Sequence, residues 1–97
     1  MLIDDILNNT EEINRIFLKY GYSNVAVMGS VAKRQETERS DIDFVAAFNS
    51  GNLEFYISVK RELEEYFDRK IDLTTLTQAE TQYPEALKNR IKLDNSL

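Results

Sequence analysis

Four residues of this 97-residue chain have types and a spacing suited to binding phosphate and a metal ion. Gly29-Ser30 ends an apolar stretch, where a glycine permits close backbone approach and a serine hydroxyl can donate to phosphate oxygens. Ten residues later, Asp41-Ile42-Asp43 opens a second apolar stretch, and the two-residue period of a strand places both carboxylates on one face. These like charges repel each other, and the neighbouring sequence offers few Lys and no His to neutralise them. Mg²⁺ is therefore the natural neutralising group.

A third carboxylate, Asp72, is flanked by Ile71 and Leu73 in a short apolar stretch. An ionised group without a partner is unfavourable in such a position. If this stretch pairs with the strand of residues 41–48, three carboxylates share one sheet face. Such a set is the protein half of a two-metal phosphoryl-transfer site, whose ions align the nucleophile and stabilise the leaving oxygens.

Each of these features alone also has a purely structural interpretation. Gly29-Ser30 can be a turn, Asp41 a residue that starts a strand, and Asp72 the ion-pair partner of Arg69 or Lys70. The combined pattern of Gly-Ser, ten residues and Asp-x-Asp is expected by chance in about one chain of this length in two thousand at average residue usage. The combination therefore favours a phosphate and metal site.

The helices that must position this site follow from the hydrophobic periodicity. Apolar residues at steps of three and four predict amphipathic helices over residues 2–20 and 53–67, with Ser50 or Asn52 as the cap of the second. Gly21 is expected in the left-handed conformation just after the first helix. Pro84 opens a short final helix over residues 84–91.

Short apolar or β-branched stretches predict strands over residues 25–28, 41–48 and 71–76. Residues 22–24 are expected to form a turn, and residues 31–40 a short helix and a loop. This order of elements predicts the α/β class, with a small mixed sheet packed against helices in two layers. The apolar stripes of the helices are the expected core.

Composition excludes several function classes. Without Cys or His there is no disulfide, thiolate nucleophile, Ser-His-Asp triad or zinc finger. The 12 Lys and Arg against 17 Asp and Glu give a net charge of −5, which argues against direct nucleic-acid binding. The length suits one domain over residues 1–97, and no signal peptide or membrane span is evident, so a cytoplasmic location without membrane contact is expected.

The spaced motif resembles the minimal nucleotidyltransferases of the DNA polymerase β-like superfamily. The resemblance rests on Gly29-Ser30 through Asp41-Ile42-Asp43, with Ala32 and Ser40 between them, and on Lys70-Ile71-Asp72-Leu73 as the later strand. The order of elements agrees over essentially the whole chain. The resemblance therefore implies the two-layer nucleotidyltransferase fold.

The resemblance also implies roles for the motif residues. The nucleotide-binding residues would be Gly29, Ser30, Lys33 and Ser40, and the catalytic residues that hold two Mg²⁺ ions would be Asp41, Asp43 and Asp72. Asp72 would complete the acceptor-side metal site and help to deprotonate a hydroxyl that attacks the α-phosphate of ATP or another nucleoside triphosphate. Pyrophosphate would be released.

The chain departs from the common pattern of the family at one place. Members commonly have Ala-Arg-Gly where this chain has Ala32-Lys33-Arg34. Lys33 can still offer a phosphate a cation, although as a point charge and not as a bidentate fork. Arg34 stands at the glycine position, where it is expected to alter the turn or to crowd the triphosphate.

The minimal members that the chain resembles are typically antitoxins that transfer AMP to a tyrosine of an all-helical HEPN ribonuclease toxin. The resemblance thus implies ATP as donor, a HEPN-type toxin as partner and acceptor, and a hetero-oligomer. Two alternatives stay open. One is a nucleotidyltransferase-like module that binds nucleotide or a partner without catalysis, and the other is a subunit that modifies a small molecule or an RNA end.

Overall fold

Four strands form one mixed sheet in the computed structural model of this chain, which describes residues 2–35, 37, 40–48 and 52–93. The strands are β1 (Tyr22–Met28), β2 (Ile42–Phe48), β3 (Ile71–Thr75) and β4 (Ile91–Lys92). Their order across the sheet is β3-β2-β1-β4. β2 runs antiparallel to β1 and parallel to β3, and β4 runs antiparallel to β1.

Six helices accompany the sheet within the described ranges. They are α1 (Leu2–Leu7), α2 (Thr10–Lys19), α3 (Gly29–Ala32), α4 (Leu53–Phe67), α5 (Leu76–Gln82) and α6 (Pro84–Lys88). The predicted α/β class with a small mixed sheet is confirmed. None of these helices has the length and apolar character that crossing a membrane requires.

The larger core lies between one face of the sheet and the helices α1, α2 and α4. Fully buried side chains from the predicted stripes, such as Ile13 and Leu63, pack there against Phe44 and Ile71 of the strands. The other face carries a smaller cluster to which α5 and α6 contribute, built from Ala26, Met28, Val45, Ala79 and Leu87. This second face carries the polar side chains described below.

The prediction of one continuous helix over residues 2–20 is wrong, because the helix is interrupted between α1 and α2. The Asn9 side-chain amide donates to the Asp5 carbonyl at 2.6 Å, and its side-chain oxygen accepts from the Tyr66 hydroxyl of α4 at 2.9 Å. An Asn side chain that bonds nearby backbone competes with a continuous helix. Gly21 adopts the expected left-handed conformation, with φ of 84°.

The turn predicted over residues 22–24 is instead the start of β1. Tyr22 is buried and stacks on Phe48 at 4.5 Å between ring centroids, and this packing holds the segment in the sheet. A β-bulge between Ser23 and Ala26, with Asn24 at φ of 53°, absorbs one residue. Tyr22 and Val25 therefore both reach the larger core.

The third strand and the final helix also differ from prediction. β3 ends at Thr75, and Leu76, predicted as its last residue, instead starts the helix α5, which was not predicted. The helix begins here because the Thr75 hydroxyl accepts from the Gln78 backbone N–H at 3.3 Å and caps it. α6 ends at Lys88, three residues before the end of the predicted helix. Residues 89 and 90 connect it to β4, where Ile91 pairs with Val27.

The elements around the loops agree more closely with the expectations. α4 has the predicted bounds, and the Asn52 side chain caps it by accepting from the Glu54 N–H, whereas Ser50 lies outside the described residues. The short helix expected within residues 31–40 is α3, which begins two residues earlier. Residues 36, 38 and 39 of that segment lie outside the described part of the chain.

Candidate functional site

Two carboxylates lie side by side on the second face of the sheet. Asp43 of β2 and Asp72 of β3 are register partners in the parallel pair, which confirms that the two strands are neighbours. Their flanking residues Ile42, Phe44 and Ile71 belong to the larger core, so the alternation of a strand turns both Asp side chains to the opposite face. The Asp72 carboxyl group lies close enough to act directly on that of Asp43.

This arrangement perturbs the titration of Asp43. The pKa of Asp43 is raised from 3.8 to about 6, mainly by burial and also by the adjacent Asp72 carboxyl group and the more distant charge of Asp41. A carboxyl group with this pKa can take up and release a proton near neutral pH, which is the property of a general acid or base.

Gly29 lies directly against the carboxylate of Asp43. Met28 pairs with Asp43 across β1 and β2, and the chain turns into α3 at the next residue, where Gly29 has a φ of 75°. A side chain at this position would overlap the Asp43 carboxylate. Glycine is therefore favoured here by its backbone conformation, and any other residue would also displace the Asp43 carboxylate.

These residues line one end of a cavity of about 380 Å³. Its polar end contains Gly29, Asp43, Asp72 and Thr74, and its remaining wall is mainly apolar and aromatic, with Met28, Tyr56, Leu73, Tyr83 and Ala86. The cavity can therefore accommodate a ligand with a charged part and a planar or apolar part.

Sequence reasoning did not find the aromatic wall. Tyr56 belongs to the apolar stripe predicted over residues 53–67 and packs against the larger core as expected. Its hydroxyl also donates to the Leu73 carbonyl at 3.1 Å, and the residue lines the cavity, which its place in the stripe did not indicate. Tyr83 stands between α5 and α6 with 48% of its surface exposed. The only sequence feature near Tyr83 is Pro84, which indicates the start of a helix but gives no indication that Tyr83 lines a cavity.

Asp41 and Ser40 precede β2 and do not line the cavity. The Asp41 carboxylate lies 3.8 Å from the Lys70 ammonium, although its charge still acts on Asp43. The Ser40 hydroxyl accepts from the Thr37 backbone N–H at 2.7 Å, and its carbonyl accepts from the Arg69 guanidinium at 2.9 Å. The contacts of Ser40 thus shape the loop that leads into β2.

The segment after Gly29 holds the remaining predicted residues. Ser30 lies half-buried in α3, and Lys33 is exposed where α3 ends. Arg34 keeps a left-handed conformation with φ of 57°, the conformation that a glycine at this position adopts most easily. Its guanidinium lies 3.2 Å from Asp4 of α1, so the turn is retained and the Arg34 side chain is directed to α1.

The donor set at the polar end fits Mg²⁺. Within the described ranges, no group of three or more acidic side chains is close enough to hold a metal ion. Asp43 and Asp72 nevertheless offer adjacent, mutually repelling carboxylates, which a cation would neutralise. Mg²⁺ commonly binds one or two protein carboxylates and takes its other ligands from substrate phosphates and water.

Residues 3–94 match the family profile described as polymerase beta, nucleotidyltransferase. Two proteins of Methanocaldococcus jannaschii, both provisionally named as protein adenylyltransferases, are also similar to the chain. One is 36% identical over 72 residues, covering 69% of this chain and 77% of the relative. The other is 32% identical over 68 residues, covering 67% of this chain and 68% of the relative.

Solved structures share the same fold. A structure provisionally named as a minimal nucleotidyltransferase superposes with a TM-score of 0.78 at 25% identity, over 92% of this chain and 93% of the other. A toxin-antitoxin structure with AMP-PNP superposes with a TM-score of 0.75 at 17% identity, over 91% of this chain and 74% of the other. At that identity the second likeness shows the fold alone.

Proposed function

The chain belongs to the polymerase beta nucleotidyltransferase family, and from this premise we propose that it transfers AMP from ATP to a hydroxyl group of a partner protein. Membership in the family confirms the resemblance found in the sequence. The observation that carries the proposal is the meeting of Gly29, Asp43 and Asp72 at one end of a single cavity. The names of the two archaeal relatives support a protein as the acceptor.

The cavity suggests how ATP would lie. Its triphosphate would approach the backbone at Gly29, where no side chain obstructs it, and its base would contact the ring of Tyr83. Ser30 and Lys33 follow Gly29 directly and would add a hydroxyl and a cation to the phosphates. The Ser40 hydroxyl would have to exchange its bond to Thr37 for one to the nucleotide.

The carboxylates would perform the chemistry of the transfer. The acceptor oxygen forms a bond to the α-phosphorus, the bond from that phosphorus to the bridging oxygen of the β-phosphate breaks, and pyrophosphate leaves. The proton of the acceptor hydroxyl would pass to the Asp72 carboxylate, which is the role that the sequence resemblance implies for Asp72. Positioning and charge neutralisation supply the rate.

Magnesium would be held mainly by Asp43 and Asp72. When bound, it neutralises the triphosphate and the leaving pyrophosphate. A second ion would also need Asp41, whose carboxylate would then turn from Lys70 to the cavity. The structure with AMP-PNP in a protein of the same fold supports ATP as the donor.

The proposed biological role is that of an antitoxin. The toxin-antitoxin structures of the same fold support a toxin as the partner. As the sequence resemblance implies, the acceptor would be a tyrosine of a HEPN-type ribonuclease toxin. Transfer of AMP to that tyrosine would inactivate the toxin.

The test compares wild type with Asp43→Asn, each incubated with ATP, Mg²⁺ and a purified HEPN-type ribonuclease toxin. Intact-mass spectrometry should find AMP on the toxin with wild type only, and ribonuclease activity should fall accordingly. Circular dichroism verifies that the variant is folded. If wild type transfers nothing and Asp43→Asn neutralises the toxin fully, the chain acts as a binding module and the enzymatic proposal is wrong.

A further inference from the structure

The outer face of α4 carries a second concavity next to the cavity. This α4 groove has a volume of about 200 Å³ and is lined by Tyr56, Ile57, Lys60, Arg61 and Glu64. Tyr56 lines both the groove and the cavity that contains Asp43 and Asp72. The two concavities are therefore neighbours that share one wall.

The α4 groove is partly apolar and open to solvent. Ile57 is 49% exposed, and Leu53, one turn earlier on the same stripe, is 70% exposed. Arg61 continues this stripe one turn later. Large apolar side chains that stay exposed beside polar groups are typical of a surface that contacts another protein.

The cations of the α4 groove are not neutralised by ion pairs. Among the described residues, the Arg61 side chain makes neither a hydrogen bond nor an ion pair, and the Lys60 ammonium lies over the Tyr56 ring at 5.4 Å from its centroid. The Glu64 carboxylate instead accepts the Ile71 backbone N–H at 3.3 Å. In a chain of net charge −5, this is a local site for an anionic side chain.

We propose that the α4 groove docks the segment of the acceptor protein that carries the modified hydroxyl, through an acidic side chain near that hydroxyl. This inference rests on the proposed function. Arg61 and Lys60 would bind the acidic side chain, and Leu53 and Ile57 would contact its apolar neighbours. Because Tyr56 separates the groove from the cavity, a segment seated in the groove can extend past Tyr56 to Asp72.

A protein segment fits the α4 groove better than RNA does. Binding to a nucleic-acid backbone depends on several phosphate contacts, each needing its own Lys or Arg. The groove offers two cations together with exposed Leu53 and Ile57, and the chain as a whole is acidic. Mixed apolar and charged contacts of this kind are the ordinary composition of a protein interface.

The first test uses two synthetic peptides with a central tyrosine that differ only in having Glu or Lys on either side of it. Each peptide is titrated into the protein while backbone amide NMR shifts of α4 are followed. The Glu peptide should bind about threefold to fivefold more tightly than the Lys peptide. Arg61→Glu should reverse this preference, whereas Arg15→Glu, the same charge change on exposed α2, should leave it unchanged.

Three results of this titration would overturn the inference. They are binding of neither peptide, equal effects of Arg61→Glu and Arg15→Glu, and displacement of the Glu peptide by a single-stranded RNA that shifts the same α4 amides. Leu53→Ser provides a second variant on the exposed surface, where unfolding is not expected. It should weaken both peptides, because it removes apolar contact without changing charge.

The second test separates this inference from the proposed function. The kcat/KM for AMP transfer to the toxin should fall severalfold in Arg61→Glu, while the affinity for AMP-PNP stays that of wild type. Equal transfer by Arg61→Glu and Arg15→Glu would refute docking at the α4 groove and leave the function intact. Absence of transfer by wild type would refute the function, and the peptide titration then decides the docking surface alone.

Discussion

Replacement of Asp43 by Asn is expected to raise the free energy of unfolding near pH 7, although Asp43 belongs to the proposed catalytic site. The pKa of Asp43 is raised from 3.8 to about 6, first by burial and then by Asp72. A pKa difference of this size corresponds to ~3 kcal/mol of stability. Because the side chain is only half-buried, solvent screening roughly halves this figure, and we expect a gain of about 1.5 kcal/mol.

The sign and the pH range of this effect follow from the raised pKa. The folded protein holds a proton on Asp43 more tightly than the unfolded chain does, so stability falls as the unfolded chain loses its proton first. This loss begins near the unfolded pKa of 3.8 and is complete above the folded pKa of about 6. The stability advantage of Asp43→Asn over wild type should therefore grow between pH 3.8 and about pH 6 and stay constant at higher pH.

Urea unfolding followed by circular dichroism at pH values from about 4 to about 8 measures this difference. Asp5→Asn, which alters an exposed carboxylate of α1, should stay within about 0.5 kcal/mol of wild type throughout. Mg²⁺ should stabilise wild type but not Asp43→Asn, because only wild type retains the paired carboxylates. A difference that does not change with pH, or an Asp43→Asn protein less stable than wild type near pH 7, would refute the reasoning.

Three further substitutions test the site and the core. Gly29→Ala should lower stability by about 2 kcal/mol in thermal unfolding and abolish AMP-PNP binding, whereas Gly21→Ala, also at positive φ, should lower stability alone. Tyr83→Ala should weaken AMP-PNP binding about tenfold by calorimetry while Tyr83→Phe retains it, and equal binding by all three proteins would contradict a base contact. Tyr22→Phe should be as stable as wild type or up to about 1 kcal/mol more stable, because the buried Tyr22 hydroxyl has no hydrogen-bond partner among the described residues. A clear loss of stability in urea unfolding would show that the Tyr22 hydroxyl does have a hydrogen-bond partner.

The sequence predicts those elements whose local residue pattern alone determines their structure in the folded protein. α4 has an uninterrupted apolar stripe and an Asn cap, and its bounds were predicted. Asp72 was singled out because a charged residue inside an apolar strand is unusual, and Asp43 because it follows Asp41 at the two-residue period of a strand. Gly29 was singled out because a glycine at a strand end permits a positive φ or a close backbone approach, and its φ is 75°.

The parts that were not predicted depend on contacts distant in sequence. The break at Asn9 is held by Tyr66 of α4, and Tyr22 joins the sheet through its stacking on Phe48. β4 has only two residues, too few for any periodic pattern. Tyr83 reaches the cavity wall because α5 and α6 return to the second face of the sheet, and α5 itself was not predicted.

The most direct test of the central claim follows the phosphorus atom that is transferred. The chain, Mg²⁺ and the HEPN-type toxin are incubated with ATP labelled either in the α-phosphate or in the γ-phosphate. We predict that label reaches the toxin from the α-phosphate only, and that Asp43→Asn transfers none. Label from the γ-phosphate, or equal labelling by wild type and Asp43→Asn, would contradict nucleotidyl transfer at the site formed by Gly29, Asp43 and Asp72.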